Sequence, residues 1–149
     1  MEVANLSEII VRNKLRHDLR NVTLVYAVSN KLQARSFLAT EYWLDWRTVN
    51  VVTEQNIRNI IRKDVGEILS RRERAIDGFG CNTCYRHYWQ LYWEMNGRRY
   101  KINKDNAQVN VWDIDRGGDL EITLLNEGIH IRVDFKLPSG NAYFYAENV

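Results

Sequence analysis

The chain has 149 residues, of which 45% are hydrophobic and 27% charged, and its net charge at pH 7 is +2. These values are typical of a single folded domain and exclude an intrinsically disordered chain. No apolar run reaches the length of a transmembrane helix and residues 1–20 lack the apolar core of a secretory signal, so we expect an intracellular protein, cytoplasmic or nuclear, outside the membrane.

Residues 1–78 are expected to be mainly helical. An apolar stripe in 5–20 predicts a first helix, and 22–44 fits a short strand or turn followed by a helix. The clearest pattern predicts a helix from about 54 to 75, because apolar residues recur there at helical spacing: Ile57, Ile60, Ile61, Val65, Ile68 and Leu69. Gly78 and Gly80 would end this helix.

The solvent face of that predicted helix is basic. Arg outnumbers Lys by 15 to 6, and residues 1–76 carry 13 Lys/Arg against 9 Asp/Glu, an excess of four. The arginines on this face are Arg58, Arg62, Arg71, Arg72 and Arg74. They fit either a solvated face with cations at the helix C-terminus or a ridge that binds phosphates or an acidic partner.

Asn96-Gly97 lies between two alternating apolar runs and predicts a two-residue hairpin turn, because both turn positions need positive φ. The predicted register pairs Met95 with Arg98, Glu94 with Arg99, Trp93 with Tyr100, Tyr92 with Lys101 and Leu91 with Ile102. Residues 85–95 also show helical spacing of aromatic residues, so a helix ending at Asn96-Gly97 is the alternative.

The remaining chain alternates in four short runs separated by turn residues, which predicts strands at 108–114, 119–125, 129–136 and 142–146. A two-residue loop at 127–128 would pair Leu124 with Ile131, Ile122 with Val133 and Leu120 with Phe135. The same register places Glu121 opposite Asp134 and Asp119 opposite Lys136.

We therefore expect an α+β fold in one domain, residues 1–149, in which N-terminal helices are followed by, and pack on, a five- or six-stranded antiparallel β-meander. The helical part would be 1–78 and the β part 79–149. The order of elements resembles cone-shaped or cystatin-like folds with a sheet packed on helices, and this resemblance concerns the layout alone.

Cys81, Cys84 and His87 form a C-x2-C-x2-H run. Two thiolates at this spacing can bind one zinc ion, and His130 or His17 could complete a tetrahedral site. Buried inert thiols and a redox dithiol are the other interpretations. No cofactor is required by the sequence, and zinc is the candidate for this run of residues.

The segment Gly80-Cys-Asn-Thr-Cys-Tyr85 resembles the cysteine neighbourhood of papain-like hydrolases, and the strands around His130 resemble those of the NlpC/P60 branch. The resemblance implies Cys84 as nucleophile and His130 as base, with Asn141 or Tyr145 near the orienting residue.

Asp134-Phe-Lys136 resembles the (D/E)-x-K element of metal-dependent nucleases. That resemblance implies a divalent metal held by Glu121 and Asp134, with Lys136 helping to activate water.

Two tyrosines, Tyr88 and Tyr92, fall on the charged face of the predicted hairpin beside Arg99 and Lys101, where they could stack bases between cations. We expect a non-enzymatic binding domain whose partner is nucleic acid, contacted by the basic helix face and these hairpin residues. An acidic protein partner, an assembly role with homo-oligomers, the metal-dependent nuclease and the cysteine hydrolase are the alternatives.

Overall fold

The computed structural model describes residues 6–29, 58–79, 86–104 and 107–149. These residues form strands and one short 3-10 turn at Asp113–Asp115. The strands are β1 (Glu8–Asn13), β2 (Leu19–Ser29), β3 (Arg58–Ile68), β4 (Glu73–Asp77), β5 (Arg86–Met95), β6 (Arg98–Ile102), β7 (Ala107–Gln108), β8 (Leu120–Glu127), β9 (His130–Leu137) and β10 (Gly140–Asn148).

All of these strands belong to one sheet, in the order β3-β2-β5-β6-β10-β9-β8-β1-β4, with β7 beside β5. Strand β1 runs parallel to β8, and the other recorded pairs are antiparallel. Strands β3 and β4 stand at the two ends of this order, yet residues 69–72 join them directly. The sheet therefore curls into a nearly closed, barrel-like form.

The prediction of an α+β fold with N-terminal helices is wrong, because no α-helix occurs in the part of the chain that the structure describes. Residues predicted as the first helix form β1 and the start of β2 instead. Burial in β1 alternates, with Ile9, Val11 and Asn13 buried, as a strand with one covered face requires. A helix after residue 30 lies outside the described residues.

The predicted helix at 54–75 is also wrong where it is described, since 58–68 is β3 and β4 begins at Glu73. The helical spacing of Val65 and Ile68 comes from a β-bulge. Strand β2 pairs Thr23 with Asp64 and the adjacent Val22 with Gly66, which leaves Val65 as an extra residue. Gly66 has a φ of +92°, and this irregularity brings Ile68 to the core three residues after Val65.

Large aromatic and aliphatic side chains fill the interior of the curled sheet. Trp89 is fully buried, and its ring centroid lies 4.5 Å from that of Tyr26 and 6.1 Å from that of Phe135. Since these rings come from β5, β2 and β9, the core joins strands that are far apart in the sequence.

The predicted hairpin at Asn96-Gly97 is confirmed. Asn96 and Gly97 have φ values of 52° and 73°, and the four pairs from Met95–Arg98 to Tyr92–Lys101 form as expected. The β5 segment is accordingly a strand, and the helical alternative is wrong. The fifth predicted pair, Leu91 with Ile102, is wrong, because the side-chain amide of Gln90 accepts from Ile102 N at 2.9 Å and donates to Ile102 O at 3.1 Å.

The hairpin of β8 and β9 exists, but its predicted register is wrong by two residues. The loop is Gly128-Ile129, so Leu124 pairs with Val133 and Glu121 pairs with Lys136. Gly128 has a φ of 60° and stands at the first turn position, where a type II′ turn requires glycine. Glu121 and Asp134 are therefore not directly opposed.

Strand β10 connects the two halves of the sheet. Its first part, 140–145, pairs with β9, and its last part, 146–148, pairs with β6. The strand predicted at 108–114 is much shorter, because β7 covers only Ala107–Gln108 and the 3-10 turn follows. Among the residues that the structure describes, none lies in a helix with the length and hydrophobicity that a membrane crossing demands.

Candidate functional site

The outer face of β9 and β10 is polar and aromatic, because alternate side chains of each strand point away from the core. Along β9 the buried residues are Val133, Phe135 and Leu137, so the intervening side chains face outward. Strand β10 presents Tyr143 and Tyr145 outward on the same face, at positions paired with Asp134 and Arg132.

The aromatic strip consists of His130, Tyr143 and Tyr145. The centroids of the two tyrosine rings lie 5.8 Å apart, and the His130 ring lies 5.6 Å from Tyr145. Tyr143 is 58% exposed and Tyr145 is 36% exposed. The Arg132 guanidinium carbon lies 5.2 Å from the centroid of the Tyr143 ring, within the range of a cation–π contact.

Two carboxylates fix Arg132 beside the strip. Its Nε and Nη2 donate to Asp134 at 2.7 Å and 3.1 Å, and its Nη1 donates to Glu127 at 2.7 Å. These hydrogen bonds, first to Asp134 and then to Glu127, raise the pKa of Arg132. Tyr145 Oη donates to Glu127 at 3.1 Å, and partial desolvation followed by this hydrogen bond raises the pKa of Tyr145.

The basic corner consists of Lys14, Arg71 and Arg72, which are all exposed. Arg71 and Arg72 lie in the turn between β3 and β4, and Lys14 directly follows β1. The three line one open concavity of about 1040 Å³. No ion pair involving them is found within the described ranges 6–29, 58–79, 86–104 and 107–149.

Asn13 holds the parts of the basic corner together, although its own side chain is buried. Its backbone N–H donates to Arg72 O and its carbonyl accepts from Arg71 N, both at 2.9 Å. Its side-chain Nδ2 donates to His17 O at 2.8 Å and to Ile68 O at 3.1 Å, while Oδ1 accepts from Leu15 N at 2.9 Å. The position of the turn is thus set by hydrogen bonds to β1.

A second concavity of about 600 Å³ continues from the basic corner towards the aromatic strip, since Lys14, Arg12 and Leu125 line both. Arg132 and Tyr143 line its other side. Arg12 differs from the basic corner because it is ion-paired, through Nε with Glu73 at 3.0 Å and through Nη1 with Glu121. These contacts raise the pKa of Arg12, chiefly through the hydrogen bond to Glu121, and lower the pKa of Glu121.

The five arginines assigned to a basic helix do not share a face, because that helix is absent from the described residues. Of the four whose side chains are described, Arg71 and Arg72 share the concavity of the basic corner. Arg62 pairs with Asp64 at 3.2 Å, and Arg74 donates through Nε to Glu67 O at 2.7 Å. Arg58 is the first residue of β3, and its side chain is not among those that the structure describes.

The hairpin residues expected to bind bases have different surroundings. Tyr88 and Tyr92 are 2% and 0% exposed, so neither ring presents a face to a base in this conformation. Lys101 lies 3.4 Å from Glu147 in an ion pair. Arg99 lines a separate concavity of about 600 Å³ with Arg62.

The candidate nuclease residues Glu121, Asp134 and Lys136 do line one concavity, the one that adjoins the aromatic strip. Both carboxylates already have guanidinium partners, Glu121 with Arg12 and Asp134 with Arg132. Within the described segments there is no group of three or more His, Cys, Asp or Glu side chains arranged to hold a metal ion.

Cys81 and Cys84 lie outside the described residues, so the zinc and cysteine-hydrolase arrangements stay predictions. His87 is buried in β5, and its Nδ1 lies 2.6 Å from Tyr26 Oη. His130, the candidate base, is exposed at the start of β9, and Asn141 lines the concavity beside Tyr143.

Lys14, Arg132, Tyr143 and Tyr145 were not predicted as binding residues. The alternation in 142–146 was sufficient to place the two tyrosines on one face, but not to show that this face is exposed. Lys14 meets Arg71 only because β1 pairs with β4, and no local pattern indicates that pairing.

A comparison of the chain with protein-family models finds no match, and a comparison with curated proteins finds none either. The function is therefore argued from this surface alone.

Proposed function

We propose that this protein is an intracellular, non-enzymatic nucleic-acid-binding domain and that the basic corner binds the phosphate backbone. One observation carries the proposal: three cations without ion-pair partners among the described residues share a concavity that continues to an exposed aromatic strip. Phosphates attract such cations, and aromatic rings on a sheet face can contact bases.

Free cations suit this role better than paired ones. Arg12 and Arg132 are each held by two carboxylates, so a phosphate would have to displace an existing ion pair. Among the described residues no carboxylate forms an ion pair with Lys14, Arg71 or Arg72, and a guanidinium can hold a phosphate through two hydrogen bonds. We therefore assign the phosphate contacts to the basic corner.

The test is fluorescence anisotropy with labelled single-stranded and duplex DNA and RNA over a series of salt concentrations. Reversing two charges in Arg71→Glu/Arg72→Glu should weaken binding about tenfold or more at low salt. Losing two phosphate contacts should also reduce the slope of log K against log[salt] by about 1.4 to 1.8.

The matched control is Lys63→Glu/Arg98→Glu. Both residues are exposed cations outside the two concavities, and the double change alters net charge by the same amount. Equal weakening by the two double variants would contradict a specific basic corner. Unchanged nucleic-acid binding together with an altered oligomeric state would instead favour the protein-assembly alternative.

The same assay tests the nuclease alternative, which is favoured by the shared concavity of Glu121, Asp134 and Lys136. Shortening of the probe only in the presence of Mg²⁺ or Mn²⁺, and its loss in Asp134→Ala and Lys136→Ala, would replace the non-enzymatic proposal. A probe that stays intact with either metal would support it.

A further inference from the structure

We infer that the nucleic acid bound is single-stranded, with bases stacked on Tyr143 and Tyr145 while the phosphates lie at the basic corner. This inference rests on the proposed function and adds the class of substrate. It is carried by the aromatic strip, whose rings are ordered by their neighbours and yet remain exposed.

The two tyrosine rings of the strip are held in place by their neighbours. Arg132 lies against Tyr143 at 5.2 Å, and Asp134 and Glu127 fix that guanidinium in place. The ring of Tyr145 is held by the hydrogen bond that its Oη donates to Glu127. Because both side chains are already ordered, little rotamer entropy is lost when a base stacks on them.

The charges around the strip and the basic corner orient the bound strand. Glu127 and Asp134 place negative charge beside the strip, and Arg132 is occupied with neutralising it. Lys136, an exposed cation of the adjoining concavity, lies opposite Glu121 in the β8–β9 pair and acts electrostatically on that carboxylate. A phosphate gains little attraction there, whereas the basic corner has cations available. A bound strand is therefore oriented with its backbone towards Lys14, Arg71 and Arg72 and its bases over the tyrosines.

The aromatic strip distinguishes single strands from duplexes. In a duplex the bases stack on each other and expose only their edges, so tyrosine rings on an outer sheet face find no base plane to cover. A single strand can turn its bases outward, and each base that stacks on an aromatic ring adds to the affinity. The strip can therefore favour single strands without reading their sequence.

The experiment compares a fluorescein-labelled oligothymidylate with a labelled blunt duplex of the same length. Tyr143→Ala/Tyr145→Ala should weaken binding of the single strand by about tenfold for each ring lost and leave the duplex affinity and its salt dependence nearly unchanged. Tyr143→Phe should retain wild-type affinity, because it keeps the ring. Trp112→Ala is the control, since Trp112 is 56% exposed and lies outside both concavities.

The outcomes separate the two proposals. If the double tyrosine variant binds the single strand as tightly as the wild type while Arg71→Glu/Arg72→Glu still loses affinity, the stacking inference is wrong and the proposed function stands. Equal losses for single strand and duplex would also overturn it. If the wild type binds neither probe in a salt-dependent manner, both proposals fail. Circular dichroism melting of each variant tests whether the fold is retained.

Discussion

Single buried polar residues hold neighbouring parts of the structure together through hydrogen bonds to the backbone. Asn13 joins the end of β1 to the turn before β4, and Gln90 joins β5 to β6 through the backbone of Ile102. Asp115 is fully buried, and its carboxylate accepts from Trp112 N, Ser139 N and Ser139 Oγ at 2.7–2.8 Å. Each satisfies backbone groups that would otherwise be buried without partners.

Asn13→Ala should destabilise the fold by about 2–4 kcal/mol, because it removes three hydrogen bonds and leaves buried backbone groups unsatisfied. Urea unfolding followed by tryptophan fluorescence measures this loss. The exposed Asn126, changed to Ala, is the control and should alter the free energy of unfolding by less than about 0.5 kcal/mol. A similar small loss for Asn13→Ala would show that Asn13 does not fix the turn.

Glu121 should make stability depend on acid pH. The hydrogen bond from Arg12 holds the pKa of Glu121 in the folded protein below the ordinary value of 4.5. Because the folded pKa is the lower one, ionised Glu121 contributes stability that is present above 4.5 and is lost as the pH falls through the folded value. Glu121→Gln should therefore flatten the decrease in unfolding free energy between about pH 5 and 3.

Denaturant unfolding at several pH values measures this dependence for both proteins. Glu8→Gln is the control, since Glu8 is exposed. Parallel curves for the wild type and Glu121→Gln would contradict the effect.

At the scale of elements, turn chemistry decided which predictions held. Asn96-Gly97 supplies two residues that tolerate positive φ, and so the β5–β6 register could be predicted residue by residue. The next hairpin was misplaced by two residues, because Gly128 occupies the first turn position rather than the second. The bulge at Gly66 separates the buried residues Val65 and Ile68 of β3 by three positions, a spacing that is typical of a helix. Local patterns can hide an inserted residue, and only the partner strand reveals it.

Gly97→Ala should destabilise the hairpin by about 1–2 kcal/mol, since alanine disfavours the φ of 73° found there. Apart from its two chain neighbours, a Cβ at this position would meet no atom within 4 Å, so the cost comes from the local backbone conformation and not from packing against other residues. Gly97→Asn should cost less, because asparagine tolerates positive φ. Thermal unfolding compares the three proteins, and equal losses for Ala and Asn would argue against a backbone origin.

At the scale of the whole molecule, the candidate site depends on closure of the sheet. The charge clusters predicted Arg71 and Arg72 as binding residues, and the strand predicted at 142–146 put Tyr143 and Tyr145 at alternate positions, but neither pattern could bring these residues to one surface. That requires β1 to lie between β8 and β4, two pairings that join residues about 60 and 110 positions apart. Periodicity within a segment contains no information on such contacts.

The position of β1 also affects how the protein is made. Strand β1 is synthesised about 110 residues before its parallel neighbour β8. Until β8 emerges, one edge of β1 has no partner in the sheet and its apolar residues Ile9 and Val11 lack the core that covers them. Strand β1 can therefore complete its place in the sheet only after about 110 further residues have been synthesised, and until then its open edge favours aggregation.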